Sequence, residues 1–583
     1  MVTGYWHKRL LLWVLLSGLA GLWPVFLQVG GVAVEASLPP AANRLPAQVH
    51  AYDLGVLTLV QTDVAAEVRE MPVPLRGILA QPKGTGPFPV VVILHGRHPG
   101  CHFAPVWNDS TWPCPAGADT RFDQGFAYLA AALADQGYLT LAIDLNGAYA
   151  YAYGATPQNY TSLAHRRSPQ ILAAHLSRLA AASRGEGVDF GVPLTGQADL
   201  SRLVLIGHSM GGAAAVFSSL RRPQTGPMPR LQDLAQPSGL LLVAPTPSQA
   251  PAAVPEAYEL PDVPTSILLG GCDRDIYDFS SLYYFETAVQ KPRQHWAASV
   301  LIPGANHNFF NRALAEDDYA RQPDNGPLCE GRPASEGHRL ASSRLSRAAQ
   351  EAFLVAYATG FLRQVFEPSA AVGLALTANQ TAPGQLLGVP VLTNLYPGQG
   401  QQRRLALEPA DAPALAAAPE PTPNLSVQRC PALAACDRFW RPQPRFPAVL
   451  RLSWRQRPQS LRFALPASGQ DLRAFASLQL RVAVDATDAL NDGQTAAFAV
   501  ILQDRQGRAV RVEVPATTAA LRPYPADPRW GYQGVPIYPS AVRIPLAQFQ
   551  GVDLAAIASL TLVFDQSDRG VLYLAEVAFL QPD

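Results

Sequence analysis

Ser209 carries the clearest chemistry in the chain. It stands in Gly207-His208-Ser209-Met210-Gly211, after the apolar run Leu203-Val204-Leu205-Ile206 and before the small residues Gly212 to Ala215. G-x-S-x-G between a short strand and a helix is the nucleophile-elbow pattern. The turn forces the serine into a strained backbone conformation, and glycines at both flanks leave room for it. The hydroxyl then stands at a helix N-terminus, whose amides and dipole favour an oxyanion. Nucleophilic attack by the serine is the chemistry expected. The plain alternative is a Gly-rich strand–helix turn with an idle serine, because the pentapeptide alone is common by chance.

Such a turn needs strands and helices around it. Leu54 to Val60, Val73 to Leu79 and Val90 to Leu94 read as strands, as do Leu139 to Asp144, Leu240 to Val243, Ser266 to Leu269 and Ser299 to Ile302. Val90-Val91-Val92-Ile93-Leu94 is apolar on both faces, as a buried parallel strand should be. Helical spacing covers Gln124 to Ala134; it recurs at Leu172, Leu176 and Leu179 and from about Ser343 to Val365. Strands alternating with helices imply an α/β fold with a doubly wound, mostly parallel sheet.

Over residues 54 to 366 the chain resembles the α/β-hydrolase superfamily, nearest its secreted bacterial branches of dienelactone hydrolases and platelet-activating-factor acetylhydrolases. The matching pieces are His95-Gly96, Gly207 to Gly211, Gly270-Gly271-Cys272-Asp273-Arg274-Asp275-Ile276 and Gly304-Ala305-Asn306-His307-Asn308-Phe309-Phe310. The resemblance implies a triad in the order Ser209, Asp273, His307. His307 would take the Ser209 proton and return it to the leaving group, and Asp273 would hold the imidazole tautomer. Asp275 is the rival acid. The resemblance also implies an oxyanion hole of two backbone N–H groups. These belong to Met210 and, from the loop after Leu94, to Arg97, with His98 ranked behind it. No cofactor and no catalytic metal are needed. The remaining histidines read as surface or packing residues. Phe103, Trp107 and Trp112 suggest an aromatic rim at the site mouth.

The 583 residues exceed one compact domain, so two are expected. The composition is ordinary for a globular chain, with 48% apolar residues and zero formal net charge. No basic run points to nucleic acid. Residues 1–36 read as an export signal. His7-Lys8-Arg9 precedes a charge-free stretch from Leu10, and Val34-Glu35-Ala36 resembles a cleavage site before Ser37. A retained signal anchor is the alternative, and either outcome places the rest outside the cytoplasm, secreted, periplasmic or on the cell surface. The six cysteines suit an oxidising compartment. Cys101 with Cys114 and Cys430 with Cys436 each bracket a short loop, which leaves Cys272 with Cys329. Sequence alone does not fix this connectivity.

Residues 37–366 are thus the expected catalytic domain, and 367–447 a Pro- and Ala-rich linker with a short strand near Leu405. Beyond it the apolar period falls to two. Leu478, Leu480, Val482 and Val484 alternate with polar or small residues, and Val500-Ile501-Leu502 leads through Asp504-Arg505-Gln506-Gly507 into Val510, Val512 and Val514. That is a hairpin signature, and residues 448–583 are expected to form an antiparallel β-sandwich. This region resembles galactose-binding-like jelly rolls and carbohydrate-binding modules, through Val542 to Leu546 and the closing stretch Gly570 to Phe579. Tyr524, Trp530, Tyr532 and Tyr538 share one Pro-rich loop that either stacks on sugars or packs over the sandwich. Asp485, Asp488, Asn491 and Asp492 miss the spacing of a calcium loop and read as a polar turn.

The function expected is ester hydrolysis by an exported serine hydrolase through an acyl-enzyme. Its substrate is an ester of small, lipid or polymeric form, with glycan or surface contact through the C-terminal domain. One alternative is a peptidase with the same triad. The other is a non-catalytic glycan- or surface-binding protein.

Overall fold

The apolar runs converge on one sheet because both of their faces need cover. The computed structural model describes residues 48–62, 68–103, 106–108, 110–156, 159–220, 230–248, 255–276, 279–315, 344–367, 374, 376–405, 407, 419–430, 449–484, 488–494, 496–522 and 538–582. Residues 1–36, expected from sequence to be an export signal, lie outside these residues.

The first strands are β1 (Val49–Thr62), β2 (Val68–Ala80) and β3 (Phe88–Leu94). A small hairpin follows, β4 (Cys101–Phe103) with β5 (Val106–Asn108). Next come β6 (Leu139–Ile143), β7 (Ala198–His208), β8 (Pro237–Val243), β9 (Thr265–Gly270) and β10 (Ala297–Ile302). After a second small hairpin, β11 (Gln385–Leu386) with β12 (Val389–Pro390), strand β13 (Leu392–Tyr396) closes the main sheet. The sheet has nine strands in the order β1-β2-β6-β3-β7-β8-β9-β10-β13. From β6 to β10 neighbouring strands are parallel, while β1, β2 and β13 run antiparallel at the edges.

Seven helices accompany these strands among the described residues: α1 (Ala127–Asp135), α2 (Asn146–Tyr149), α3 (Tyr160–Ser183), α4 (Met210–Ser219), α5 (Leu231–Leu234), α6 (Leu282–Gln290) and α7 (Arg347–Phe366). Alternate residues of the central strands face opposite helical layers. Val91, Ile93, Val204 and Ile206 share a core with α1 and α7, through Leu129, Leu133, Phe353 and Phe361. Val90, Val92, Leu203 and Leu205 share another with α3 and α6, through Leu172, Leu176, Leu282 and Phe285. This is the doubly wound, mostly parallel sheet that the two-faced apolar runs require.

The C-terminal region begins with short strands β14 (Gln402–Arg404), β15 (Pro419–Pro421) and β16 (Ser426–Cys430). It continues with β17 (Val449–Trp454), β18 (Gln459–Ala464), β19 (Ser477–Ala483), β20 (Phe498–Asp504) and β21 (Ala509–Val514). The last strands are β22 (Ser540–Pro545), β23 (Ile557–Phe564) and β24 (Gly570–Leu580). One sheet runs β16-β17-β24-β19-β22, with β14 also on β24, and the other runs β15-β18-β23-β20-β21. All pairs are antiparallel. Leu452, Trp454, Leu480 and Leu572 meet Leu461, Phe463, Val500 and Leu562 in a shared core, which makes this a β-sandwich. The β20–β21 hairpin falls on the expected turn, where Asp504 Oδ1 accepts the amides of Gln506 and Arg508 at 2.9 and 3.0 Å.

Two features depart from the reading by sequence. The stretch taken as a spacer supplies β13 to the main sheet and β14, β15 and β16 to the sandwich. These strands are too short to show a period among the prolines and alanines. In addition, β19 is buried along its whole length. The polar residues of its outer face, Gln479 and Arg481, lie against the main-sheet region instead of water. Arg481 pairs with Glu286 of α6, with Nη1 to Oε2 at 3.1 Å, and its Nε donates to Asn394 Oδ1 of β13 at 3.1 Å. Tyr538 is buried at the same junction, its hydroxyl 2.9 Å from Ser299 Oγ of β10. Tyr538 is therefore a packing residue, and Tyr524, Trp530 and Tyr532 lie outside the described residues. Asp488 pairs with Arg451 and caps a short turn through Leu490 N–H at 3.0 Å, while Asp485 lies outside the described residues.

Candidate active site

Strand β7 delivers Ser209 to the first turn of α4. Ser209 has φ 55° and ψ −127°, outside both helical regions, and is buried. Such a conformation costs a non-glycine residue about 1–3 kcal/mol and persists only where its surroundings hold it. The surroundings here are specific. Ser209 N–H donates to Val243 O at 2.9 Å, and its carbonyl accepts the Gly212 and Thr246 amides at 2.9 and 3.3 Å. A side chain on Gly207 would strike the Gly211 backbone, and one on Gly211 would strike Leu94 O, so the turn closes only with glycine at both positions.

The loops after β9 and β10 bring the acid and the histidine together. Asp273 Oδ2 accepts from His307 Nδ1 at 2.8 Å, with both side chains buried. Asp273 Oδ1 accepts the amides of Asp275 and Ile276 at 2.8 and 2.7 Å, so its second oxygen is fixed as well. His307 is held from two other sides. Gln350 of α7 clamps the preceding residue, accepting from Asn306 N at 3.0 Å and donating to Asn306 O at 2.7 Å. His208 donates from Nε2 to His307 O at 3.0 Å, with the rings 4.7 Å apart. The residue before Ser209 thereby brings His307 beside the elbow. Asp275 stands on the other edge of the ring. Its Oδ2 is 3.5 Å from His307 Nε2, and its side chain is 68% exposed. The geometry thus separates the two acids: Asp273 faces Nδ1 and Asp275 faces Nε2.

The loop after β3 passes over Ser209. A Cβ on Gly96 would lie 2.6 Å from Ser209 Cβ and 3.2 Å from Oγ, so only glycine lets this backbone approach the hydroxyl. Arg97 follows at once, with its guanidinium 4.7 Å from the Tyr151 ring centre. Met210 is the first residue of α4, where no intrahelical carbonyl reaches the N–H. A network unseen in the sequence fixes this loop. Leu145 N–H donates to His95 Nε2 at 2.8 Å, which leaves His95 Nδ1 to donate to Gly96 O at 2.7 Å. With the Gly96 carbonyl tied to that ring, the Arg97 N–H of the same peptide is turned the opposite way. Tyr149 O–H donates to His95 O at 3.0 Å. Behind His95, Asp144 is buried and accepts from Arg76 Nε at 2.7 Å and Asn146 N at 2.9 Å. Burial alone would raise the Asp144 carboxyl, but the neighbouring His95 ring, the Arg76 charge and the Asn146 amide outweigh it and hold the pKa at about 2.

His98 also lies near the site, its ring 4.4 Å from Phe122, and burial pushes it well below the ordinary histidine range. Burial and the charge of His307 do the same to His208. Both are therefore neutral neighbours of His307. Position on the loop after β3 was the one signal in the sequence for His98, and nothing there marked Gln350. His175 is a core residue, held to about 4 by burial and bonded to Tyr52 O–H at 3.1 Å.

Cys101 and Cys114 form a disulfide that closes the segment after this loop. Cys272 and Cys430 are also disulfide-bonded, and Cys329 and Cys436 lie outside the described residues. Of the three aromatics expected at a rim, Trp112 is not at the surface. Trp112 is buried and donates from Nε1 to Pro72 O of β2 at 2.7 Å, because a buried indole needs an acceptor. Phe103 is 36% exposed, and the Trp107 side chain lies outside the described residues.

No family model matches the chain, and no curated protein matches it. Likenesses to solved structures are distant. A thermostable carboxylesterase cloned from a metagenomic library is 17% identical, covering 48% of this chain and 87% of its own, with a TM-score of 0.28. An esterase from Rhizomucor miehei is 13% identical, covering 56% of this chain and 88% of its own, also with a TM-score of 0.28. A family 11 carbohydrate-binding module from Clostridium thermocellum, solved with a β-1,3-1,4-mixed-linked tetrasaccharide, is 8% identical. It covers 31% of this chain and 96% of its own, with a TM-score of 0.20. The fold class rests on the strand order and the elbow: the chain has the α/β-hydrolase fold with a C-terminal β-sandwich. Among the described residues no helix is long and apolar enough to cross a membrane.

Proposed function

We propose that the protein is an exported serine hydrolase that cleaves carboxylic esters through an acyl-enzyme. The observation that carries this reading is the strained Ser209, whose neighbour His208 is bonded to His307 of a buried Asp273–His307 pair. Ser209 Oγ attacks the ester carbonyl while His307 Nε2 takes its proton. The oxyanion is held by the Met210 and Arg97 amides, donors worth about 3 kcal/mol each at the transition state. His307 then protonates the leaving alcohol, and water releases the acid by the same steps in reverse. Asp273 keeps the imidazole oriented and balances its charge. This chemistry requires no cofactor.

Ester cleavage is preferred to peptide cleavage because an alkoxide leaves more readily than an amide nitrogen. A pure binding role would leave the strained serine without a purpose. Fluorophosphonate labelling of residues 37–583, with the modified peptide mapped by mass spectrometry, tests the assignment. Labelling at Ser209, abolished in Ser209→Ala, is the expected result. No labelling of a folded, disulfide-intact protein would sink the reading.

A further inference from the structure

We propose that Asp275 is a second acidic partner of His307, on the Nε2 edge of the ring, where it sets the working pH range and the charge preference of the site. The inference rests on the reading of Ser209 and His307 as nucleophile and base. Two carboxylates from one loop meet the two nitrogens of one imidazole. Asp273 is buried, with Oδ2 2.8 Å from Nδ1. Asp275 is solvated, with Oδ2 3.5 Å from Nε2. The backbone turn produces this division. The Asp275 amide donates to Asp273 Oδ1 at 2.8 Å, so the two side chains leave the loop on different sides.

Nε2 is the nitrogen that exchanges protons with Ser209 and the leaving group. A carboxylate at that edge has two consequences. It stabilises the imidazolium, so His307 holds its proton to a higher pH than with Asp273 alone. His208 and His98 are kept neutral by burial, while His95 and Arg97 belong to the loop after β3. The second consequence concerns substrate. An exposed negative charge next to the proton-transfer edge repels esters that carry a carboxylate close to the scissile bond. Neutral or cationic esters enter without that penalty. Asp275 thus acts as a positioning and selectivity residue for a reaction that Ser209 performs.

The test is Asp275→Asn, which keeps the backbone amide bond to Asp273. Two p-nitrophenyl esters of similar size serve as probes, the neutral butyrate and the anionic hemisuccinate. The acid limb of kcat/KM for the butyrate should move to lower pH in the variant by about half a unit, the scale of a screened single charge at this range. The ratio of kcat/KM for hemisuccinate over butyrate should rise by about 3- to 10-fold, and the rise should shrink in high salt. Asp275→Glu should stay near wild type on both counts. An unchanged pH profile and an unchanged ratio, in a variant that still labels at Ser209, would overturn the proposal. Absence of labelling in the wild-type protein would instead overturn the reading on which it rests.

Discussion

At the scale of single residues the site depends on backbone closeness as much as on side-chain chemistry. Gly96 shows this. A methyl group there would sit 2.6 Å from Ser209 Cβ, and neither backbone can retreat without leaving the turn. Gly96→Ala should therefore lower fluorophosphonate labelling and ester turnover by about 10²-fold, the cost of misplacing a reacting group by about 1 Å. Its melting temperature should fall little by comparison. Equal activity in the alanine variant would show that the loop is not where the nucleophile needs it. Asp144 makes a different prediction. Its carboxyl is held at about 2 against an ordinary 3.8, so the folded state binds a proton less readily than the unfolded chain. That depression contributes about 2 kcal/mol of stability above pH 4, lost as pH falls from about 4 through about 2. Urea unfolding across this window should show a steeper acid loss in wild type than in Asp144→Asn. Of these residues, Ser209 and His307 were legible because each sits in a motif after an apolar strand. Asp144, His95 Nδ1 and Gln350 were not, since their partners are backbone groups or, for Asp144, also the distant Arg76, which no local pattern reports.

At the scale of elements, burial on two faces decided what could be read. Strands β3 and β7 show it as unbroken apolar runs, and β20 with β21 shows it as alternation around a polar turn. The alternation in β19 gives no sign that its polar face, Gln479 and Arg481, is buried. The Arg481–Glu286 pair allows a direct test. Burial would lower the Arg481 pKa, but the carboxylates of Glu286 and Glu576 outweigh it and raise it. Arg481→Met should destabilise the protein by about 3–5 kcal/mol, since it strands a buried carboxylate. Arg481→Met combined with Glu286→Leu should recover much of that loss, because an apolar pair of similar volume needs no charge compensation. The midpoint of guanidinium unfolding reads both effects. A double variant as unstable as the single one would mean that the arginine acts through Asn394 and not through the ion pair.

At the scale of the whole molecule, the described residues form one compact unit, and the sandwich is built into it. Chain connectivity explains why: β13 completes the main sheet, and the next strand, β14, already belongs to the sandwich. Across the junction Gln479 donates to Leu395 O at 2.9 Å, and Asn394 donates to Ser299 Oγ at 3.0 Å and to Pro539 O at 2.9 Å. Sequence reading suggested an accessory module on a spacer, because interdomain contacts leave no mark in periodicity. A chain ending at residue 397 would keep the elbow, Asp273, His307 and all strands of the main sheet. It would also leave Glu286, Asn394 and Ser299 without the partners they have across the junction. Each buried polar group left unpaired costs about 1–3 kcal/mol, against a total stability of about 5–15 kcal/mol for a typical domain. Residues 37–397 expressed in an oxidising compartment should thus be insoluble or melt without cooperativity, while residues 37–583 melt cooperatively and label at Ser209. A soluble short form with full labelling would make the sandwich a detachable module. Failure of the short form would make it part of the fold that holds the serine, so its loss would abolish activity.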